Sequence, residues 1–216
     1  MRNLAGVFIV LVLVGCGSSP MTNFFTLRVV PGQGASQASL LFPVQLAVVR
    51  IPPLLDRRQM VRMTGENSVE IKDAERWSGP LDEMIRNVLS QDLAARLAKG
   101  SVILPEAPAP PETRMLVVTI VHFSPDATGH VKLNGSWSLL AAGSNSPALQ
   151  RDFQIDGGSA ANAEETAAAM SHALGQLSDA MASILSRSKI AGSMGVRERR
   201  TGFSNLSLQQ VGAVSF

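Results

Sequence analysis

One cysteine in 216 residues rules out a disulfide within the chain, so the fold has to be held by ordinary burial of apolar side chains. The apolar run at its start, Leu4 to Val14, is interrupted by Gly6 and too short to cross a bilayer, which excludes a membrane-spanning helix there. Charge surplus is small as well. The net charge of +2 drops by one if Arg2 is removed with a leader, and such a balance is no footprint for nucleic acid. What surplus exists is local: after Ser186 come Arg187, Lys189, Arg197, Arg199 and Arg200 against Glu198, leaving the rest slightly acidic. This basic tail reads as solvated and flexible, with contact to anionic headgroups as a second use.

Catalytic and metal-binding patterns are missing too. No G-x-S-x-G elbow occurs, and His122, His130 and His172 stand far apart without H-x-x-x-H or Cys/His spacing. No Gly-rich turn between a strand and a helix offers a phosphate cradle. Asp82 and Glu83 adjoin but point to different sides of a helix, where dipole complementarity accounts for them. The expectation is a protein that is not an enzyme and that uses no cofactor or metal.

What is present begins with Leu13-Val14-Gly15-Cys16. A charged residue, an apolar segment, a small residue and then a thiol form a lipoprotein processing site, because thioether formation to diacylglycerol needs the thiol and the peptidase needs a small neighbour. Residues 1–15 are expected to be a signal peptide and Cys16 a lipid attachment point. Gly17, where Asp would favour inner-membrane retention, points to the outer membrane. The seven residues 17–23 reach no more than about 25 Å, so a domain starting at Phe24 must sit close against its membrane.

Phe24 to Val30 reads as a strand, then a loop from Pro31 to Ser39, then a strand from Val44 to Ile51 stopped by Pro52-Pro53. Gln59–Thr64 and Ser68–Lys72 flank Gly65-Glu66-Asn67 as a hairpin. Ser78-Gly79-Pro80 opens a helix with Ser78 as cap, Leu81, Met84, Ile85, Val88, Leu89, Leu93 and Leu97 on one face, and Lys99-Gly100 as stop. A short Val102–Leu104 strand and a four-proline connection follow. Arg114–Ser124 is apolar on both faces, as a strand covered on two sides would be, while His130–Ala141 and Leu149–Asp156 alternate. Asn162 and Glu165 start a second helix whose Ala167, Met170, Leu174, Leu177, Met181 and Ile184 make one stripe ending near Gly192. The expected class is α+β, a mostly antiparallel sheet with two amphipathic helices on one face and a filled core. The domain divides into a tether at 16–23, a periplasmic domain at 24–191 and a tail at 192–216.

Two places could meet a partner. In the loop Leu54-Leu55-Asp56-Arg57-Arg58, the leucines either tuck under the sheet edge or face outward. Arg76-Trp77 either covers the start of the helix or joins an interface. Short polar-faced strands offer an edge for pairing with another chain.

The run Val44–Pro52, then Leu55-Asp56-Arg57, Gln59-Met60-Val61-Arg62, Gly65-Glu66-Asn67, Arg76-Trp77 and Pro80-Leu81 resembles the PqiC-like, or YmbA-like, ABC-type transport auxiliary lipoproteins. Phe24-Phe25-Thr26-Leu27, His122-Phe123 and Ser136-Trp137 extend the resemblance over about residues 22–190, with Arg58 standing where proline is common. It implies a periplasm-facing lipoprotein of the outer membrane, accessory to a transport system in which a PqiB-like MCE-domain protein forms a phospholipid conduit between the membranes. Such a system includes, in some cases, an inner-membrane ABC or integral-membrane component, and it leaves room for self-association around the conduit. Two other classes compete with docking: a regulatory lipoprotein acting on a cell-wall enzyme, which usually needs a longer linker, and a lipid-carrying domain, which needs an internal cavity.

Overall fold

The computed structural model describes residues 21–32, 39–141 and 143–198. Cys16, the signal segment and the end of the tail lie outside the described residues. Among the described residues the elements follow in the order β1 (Asn23–Phe25), β2 (Val44–Arg50), β3 (Gln59–Met63), β4 (Val69–Trp77), α1 (Leu81–Arg96), β5 (Val102–Ile103), β6 (Arg114–Pro125), β7 (His130–Leu140), β8 (Pro147–Ser159) and α2 (Ala163–Glu198).

The α+β class with two helices is as expected, but the sheet is not. The strands form two mixed sheets, β1-β4-β3 and β5-β2-β6-β7-β8, in which β1 runs parallel to β4 and β2 runs parallel to both β5 and β6. The cause is connection length. Tight turns join β3 to β4, β6 to β7 and β7 to β8, and each of these pairs is antiparallel. Between β2 and β6 lie the hairpin, α1 and β5, a crossover long enough to return the chain in the same direction. The β3–β4 hairpin alone would be marginal, and β1, arriving from the amino-terminal side, supplies its third strand.

α1 packs on β2 and β5, α2 packs on β6, β7 and β8, and the two helices touch. Leu81, Ile85, Val88, Leu89 and Leu93 bury the expected face of α1 against Val44, Leu46 and Val49. Each such side chain contributes about 1.5–3 kcal/mol. Met170 and Met181 of α2 are fully enclosed with Leu174 and Leu177, so the core is filled.

The helix ends are partly as expected. Asn162 caps α2, its Oδ1 accepting the Glu165 N–H at 2.9 Å while Glu165 accepts the Ala161 N–H at 2.8 Å. Ser78 does not cap α1. The helix starts at Leu81 after Pro80, which places Ser78 too far upstream, and its hydroxyl turns to the Met84 sulfur instead. α1 ends at Arg96, before the expected stop, and Gly100 takes its left-handed conformation (φ 85°) in the turn that follows. α2 continues beyond the expected end near Gly192 to Glu198.

β6 is covered on one face only. Leu116, Val118 and Ile120 point to the helices, a bulge at Val121 shifts the register, and Phe123 then enters the core. Val121, the bulged residue, is 70% exposed on the open face, beside partly exposed Met115, Val117 and Thr119. At the centre of the sheet Gly135 lies opposite Phe153, where a Cβ would come within 2.2 Å of the Thr119 carbonyl oxygen and 2.9 Å of the Phe153 ring. The expected outcomes are a loss of about 2–5 kcal/mol for Leu93→Ala and of about 1–3 kcal/mol for Gly135→Ala, read as shifts in the urea midpoint.

Candidate functional site

The partner candidates named from the sequence converge on one patch. Gln59 of β3 stands opposite Arg76 of β4, and the Trp77 N–H donates to the Arg58 carbonyl at 2.7 Å, stitching the 54–58 loop to the end of β4. The loop is a tight coil. Leu55 donates its N–H to the Pro52 carbonyl and Arg57 donates its own to the Leu55 carbonyl. Within the patch the side chains separate by depth. Leu55 (7% exposed) and Trp77 (3%) face inward against Leu81, Phe123 and Met170, so they support the surface and do not present it. Asp56 and Arg58 are exposed, while Leu54, Arg57 and Arg76 are half-buried. The Arg76 Nε donates to the Asp73 carbonyl, and the Arg57 Nε is buried without a hydrogen-bond partner.

A second site was hidden in the helix pattern. The segment after β1, expected as a continuing strand to Val30, leaves the sheet and runs extended between α1 and α2. Its backbone groups bond to side chains: the Arg28 N–H donates to the Ser171 hydroxyl at 3.0 Å and the Val30 N–H to Asp92 Oδ1 at 2.9 Å. Arg96 donates from Nη1 to the Val30 carbonyl at 3.1 Å and from Nε to Asp179 Oδ1 at 2.6 Å. Asp92 (0% exposed) lies 3.4 Å from Arg96 (3% exposed). Both peptide groups of Val30 are thus held by one buried ion pair, and Gly175 lets Val30 approach α2 closely. Burial pushes the Asp92 carboxyl above its usual range, opposed by the Val30 N–H and by Arg96. The signal available in the sequence was Asp92 and Arg96 at i, i+4 spacing on the apolar stripe of α1.

A third cluster joins β7 to β8. His130 meets Asp156 Oδ1 through Nε2 at 2.5 Å and the Ser159 hydroxyl through Nδ1 at 3.0 Å. An acid, an imidazole and a hydroxyl in line resemble a hydrolytic relay, but Ser159 and Asp156 are exposed and Asp156 also accepts the Gly158 N–H. The cluster serves as a cross-strand clasp. Nearby, Asp126 accepts from Thr128 and from the His130 N–H and pairs with Lys132. These bonds hold the Asp126 carboxyl well below the usual carboxylate range, and the His130 contact lowers that of Asp156. The His122 ring meets the Ser124 hydroxyl at 3.4 Å, and His172 meets Gln176, so the three histidines have separate partners. Among the described residues no group of three or more His, Cys, Asp and Glu is placed to hold a metal ion, and no helix is long and apolar enough to cross a membrane.

Two of the grooves flank the start of α2. One, of about 580 Å³, lies between residues 24–31 and the start of α2, with Phe24, Val29, Ala167 and Ala168 among its walls. A smaller cleft of about 170 Å³ separates the β3–β4 hairpin from the Asn162 cap, with Arg62, Lys72 and Glu75 at its rim.

Arg96→Ala is expected to lose about 3–5 kcal/mol of stability, because it leaves the Asp92 charge buried without its partner. Asp92→Asn in that background should recover part of the loss, since the amide oxygen still accepts the Val30 N–H; a double-mutant cycle by urea denaturation measures it. Acid should act mainly through Asp126 and Asp156. Their folded pKa values lie below the unfolded 3.8, so their stabilisation is present above that pH and lost as pH falls toward the folded values. Asp92, shifted upward, runs the other way and gains as the pH drops through its raised pKa toward 3.8. Asp126→Asn is expected to flatten the fall in urea midpoint below about pH 4.

The model of the family described as ABC-type transport auxiliary lipoprotein component matches residues 25–182. The chain is 30% identical over 149 residues to the intermembrane transport lipoprotein PqiC of Escherichia coli strain K12 and, equally, to that of Shigella flexneri, covering 67% of this chain and 76% of each relative. Its fold is similar to a crystal structure of an uncharacterized protein, at TM-score 0.63 and 20% identity over 77% of this chain and 99% of the other. It is similar also to that of a Xanthomonas campestris protein, at TM-score 0.59 and 16% identity over 82% and 99%. The family is one of auxiliary transport lipoproteins and not an enzyme class. With its match running from β1 into α2, the chain belongs to the ABC-type transport auxiliary lipoprotein component family.

Proposed function

We propose that this chain is the docking subunit of an intermembrane transport system: a lipoprotein fixed by Cys16 to the outer membrane, facing the periplasm, and engaging an MCE-domain protein of the PqiB type that carries phospholipid between the membranes. Maintenance of the envelope barrier follows from that role. The observation that carries the reading is the match to the intermembrane transport lipoprotein PqiC across two thirds of this chain. The filled core and the lone-cysteine lipoprotein motif agree with a part that acts through its surface and anchor.

The surface we assign to the partner is the patch of Leu54, Asp56, Arg57, Arg58 and Arg76, resting on Leu55 and Trp77. It is mixed in charge and stitched by the Trp77–Arg58 hydrogen bond, with Asp56 and Arg58 exposed where a partner's charges would meet them. Such patches gain specificity from charge matching.

Purification of the lipidated protein in mild detergent, after crosslinking in its own cells, should bring down an MCE-domain protein. Recovery of a cell-wall synthase in its place would replace this reading with the regulatory one. The paired reversal Asp56→Arg with Arg76→Glu is expected to abolish that recovery at a stability cost of about 0.5–1.5 kcal/mol, the size of the lost Arg76–Asp73 hydrogen bond, whereas Leu55→Ala should lose about 2–5 kcal/mol. Full recovery with the charge reversal would remove this patch as the interface.

A further inference from the structure

We propose that the groove between residues 24–31 and the start of α2 is the face this domain lays on the bilayer, and that it receives an acyl chain of a leaflet phospholipid. The inference rests on the reading of Cys16 as the lipid anchor.

The first argument is reach. Met21 is five residues after Cys16, so it cannot lie more than about 18 Å from the attachment point. The polar layer on each side of the hydrocarbon is itself about 5–8 Å thick. Whatever surface surrounds Met21 is therefore held within about 13 Å of the outer edge of the headgroup layer, and the groove begins three residues further on at Phe24.

The second argument is composition. Met21 is 84% exposed and Phe24 60% exposed, and Val29 is also open to solvent, so three large apolar side chains in one short segment are left uncovered. The other exposed large apolar residues are spread over β2, β4, β6 and the loops beside β2 and β5. Phe24 lies on an edge strand: it pairs with Arg76 on one side and, among the described residues, has no strand on the other. Val29 is exposed because the ties at Arg28 and Val30 fix the segment with that side chain outward.

The third argument is shape. The groove holds about 580 Å³, within the roughly 300–1,000 Å³ of sites that take small apolar ligands. Val30, Pro31, Ala167 and Ala168 line it with apolar surface, while the small side chains of α2 keep it open. Arg28 stands exposed at the rim, where a guanidinium meets a lipid phosphate, with Glu164 across the opening as its one carboxylate. An apolar trough with a cationic lip, tethered close to the headgroup layer, suits a phospholipid better than water.

Because Cys16 is the sole cysteine and acylation consumes it, one introduced cysteine gives a unique thiol. Full-length lipidated Thr22→Cys and Val121→Cys proteins, labelled with bimane, would be placed in vesicles of phosphatidylethanolamine and phosphatidylglycerol with brominated acyl chains. Mass spectrometry establishes the acylation of Cys16 in each sample. The expected result is strong quenching of the label at position 22 by the brominated chains with little quenching by aqueous iodide, and the reverse at position 121. Phe24→Ser combined with Ala168→Glu, both at exposed positions, should restore iodide access at position 22 without altering the urea midpoint. Equal behaviour of the two labels on an acylated protein would overturn the proposal, as would bromine quenching at position 121. Quenching at position 22 that survives both substitutions would assign the contact to the tether and overturn the groove. An unmodified Cys16 would remove the anchor reading itself, and this inference with it.

Discussion

The buried pair of Asp92 and Arg96 is the constraint on which the arrangement of the layers depends. Two helices laid side by side on a sheet leave a furrow between them, and here the furrow is filled by backbone, from Leu27 to Gly32. Backbone brings polar groups that a sheet would normally satisfy, and at Val30 side chains of α1 take that place. Asp92 accepts the Val30 N–H, Arg96 supplies the Val30 carbonyl, and Asp179 of α2 completes the guanidinium, so one ion pair binds the entering chain to both helices. A pair of this kind contributes little as net stabilisation and much as definition, because losing either member leaves the other buried alone.

With the entering segment fixed, the remaining geometry follows. Leu27 is buried directly behind β1, Phe25 stands opposite Trp77, and the Ser78 N–H donates to the Phe25 carbonyl. Trp77 in turn ties back to Arg58. The amino-terminal strand, the β3–β4 sheet and the 54–58 loop therefore form a continuous unit over one end of the helices. Both regions assigned a role, the charged patch and the apolar groove, belong to this unit. The five-stranded sheet is the platform beneath it, and its open face around Val121 has no assigned role.

Local signals were readable from sequence and non-local ones were not. The Gly65-Glu66-Asn67 hairpin, the Asn162–Glu165 cap, the stripe of α2 and the β6–β7–β8 order each depend on residues within a few positions of one another. The parallel pairings of β1 with β4 and β2 with β6 depend on where a long crossover lands, which no short pattern encodes. That is why a mostly antiparallel sheet was expected. β1 was extended too far because Leu27, Val29 and Val30 have strand-like side chains, while the ligands that draw their backbone out of the sheet lie on two distant helices. Among the site residues, the 54–58 loop and Arg76-Trp77 were recognised as unusual, but the direction of each side chain was not encoded locally. Leu55 and Trp77 turned inward because Phe123 and Met170, remote in sequence, offer the apolar contact. The His130–Asp156–Ser159 line arises from a register shift between Val131 and Lys132, equally invisible in a single strand.

The parallel pairing of β1 with β4 has a mechanical consequence. A force drawn along the chain from the amino-terminal side of Asn23 runs along β1, crosswise to its hydrogen bonds with β4, so the bonds are loaded together in shear and do not open one by one as in unzipping. Behind them the force meets the Arg28 and Val30 ties in series. A domain held by its amino terminus while a large partner shifts above it would resist through this path first, leaving the packing of the helices on the five-stranded sheet outside the line of tension.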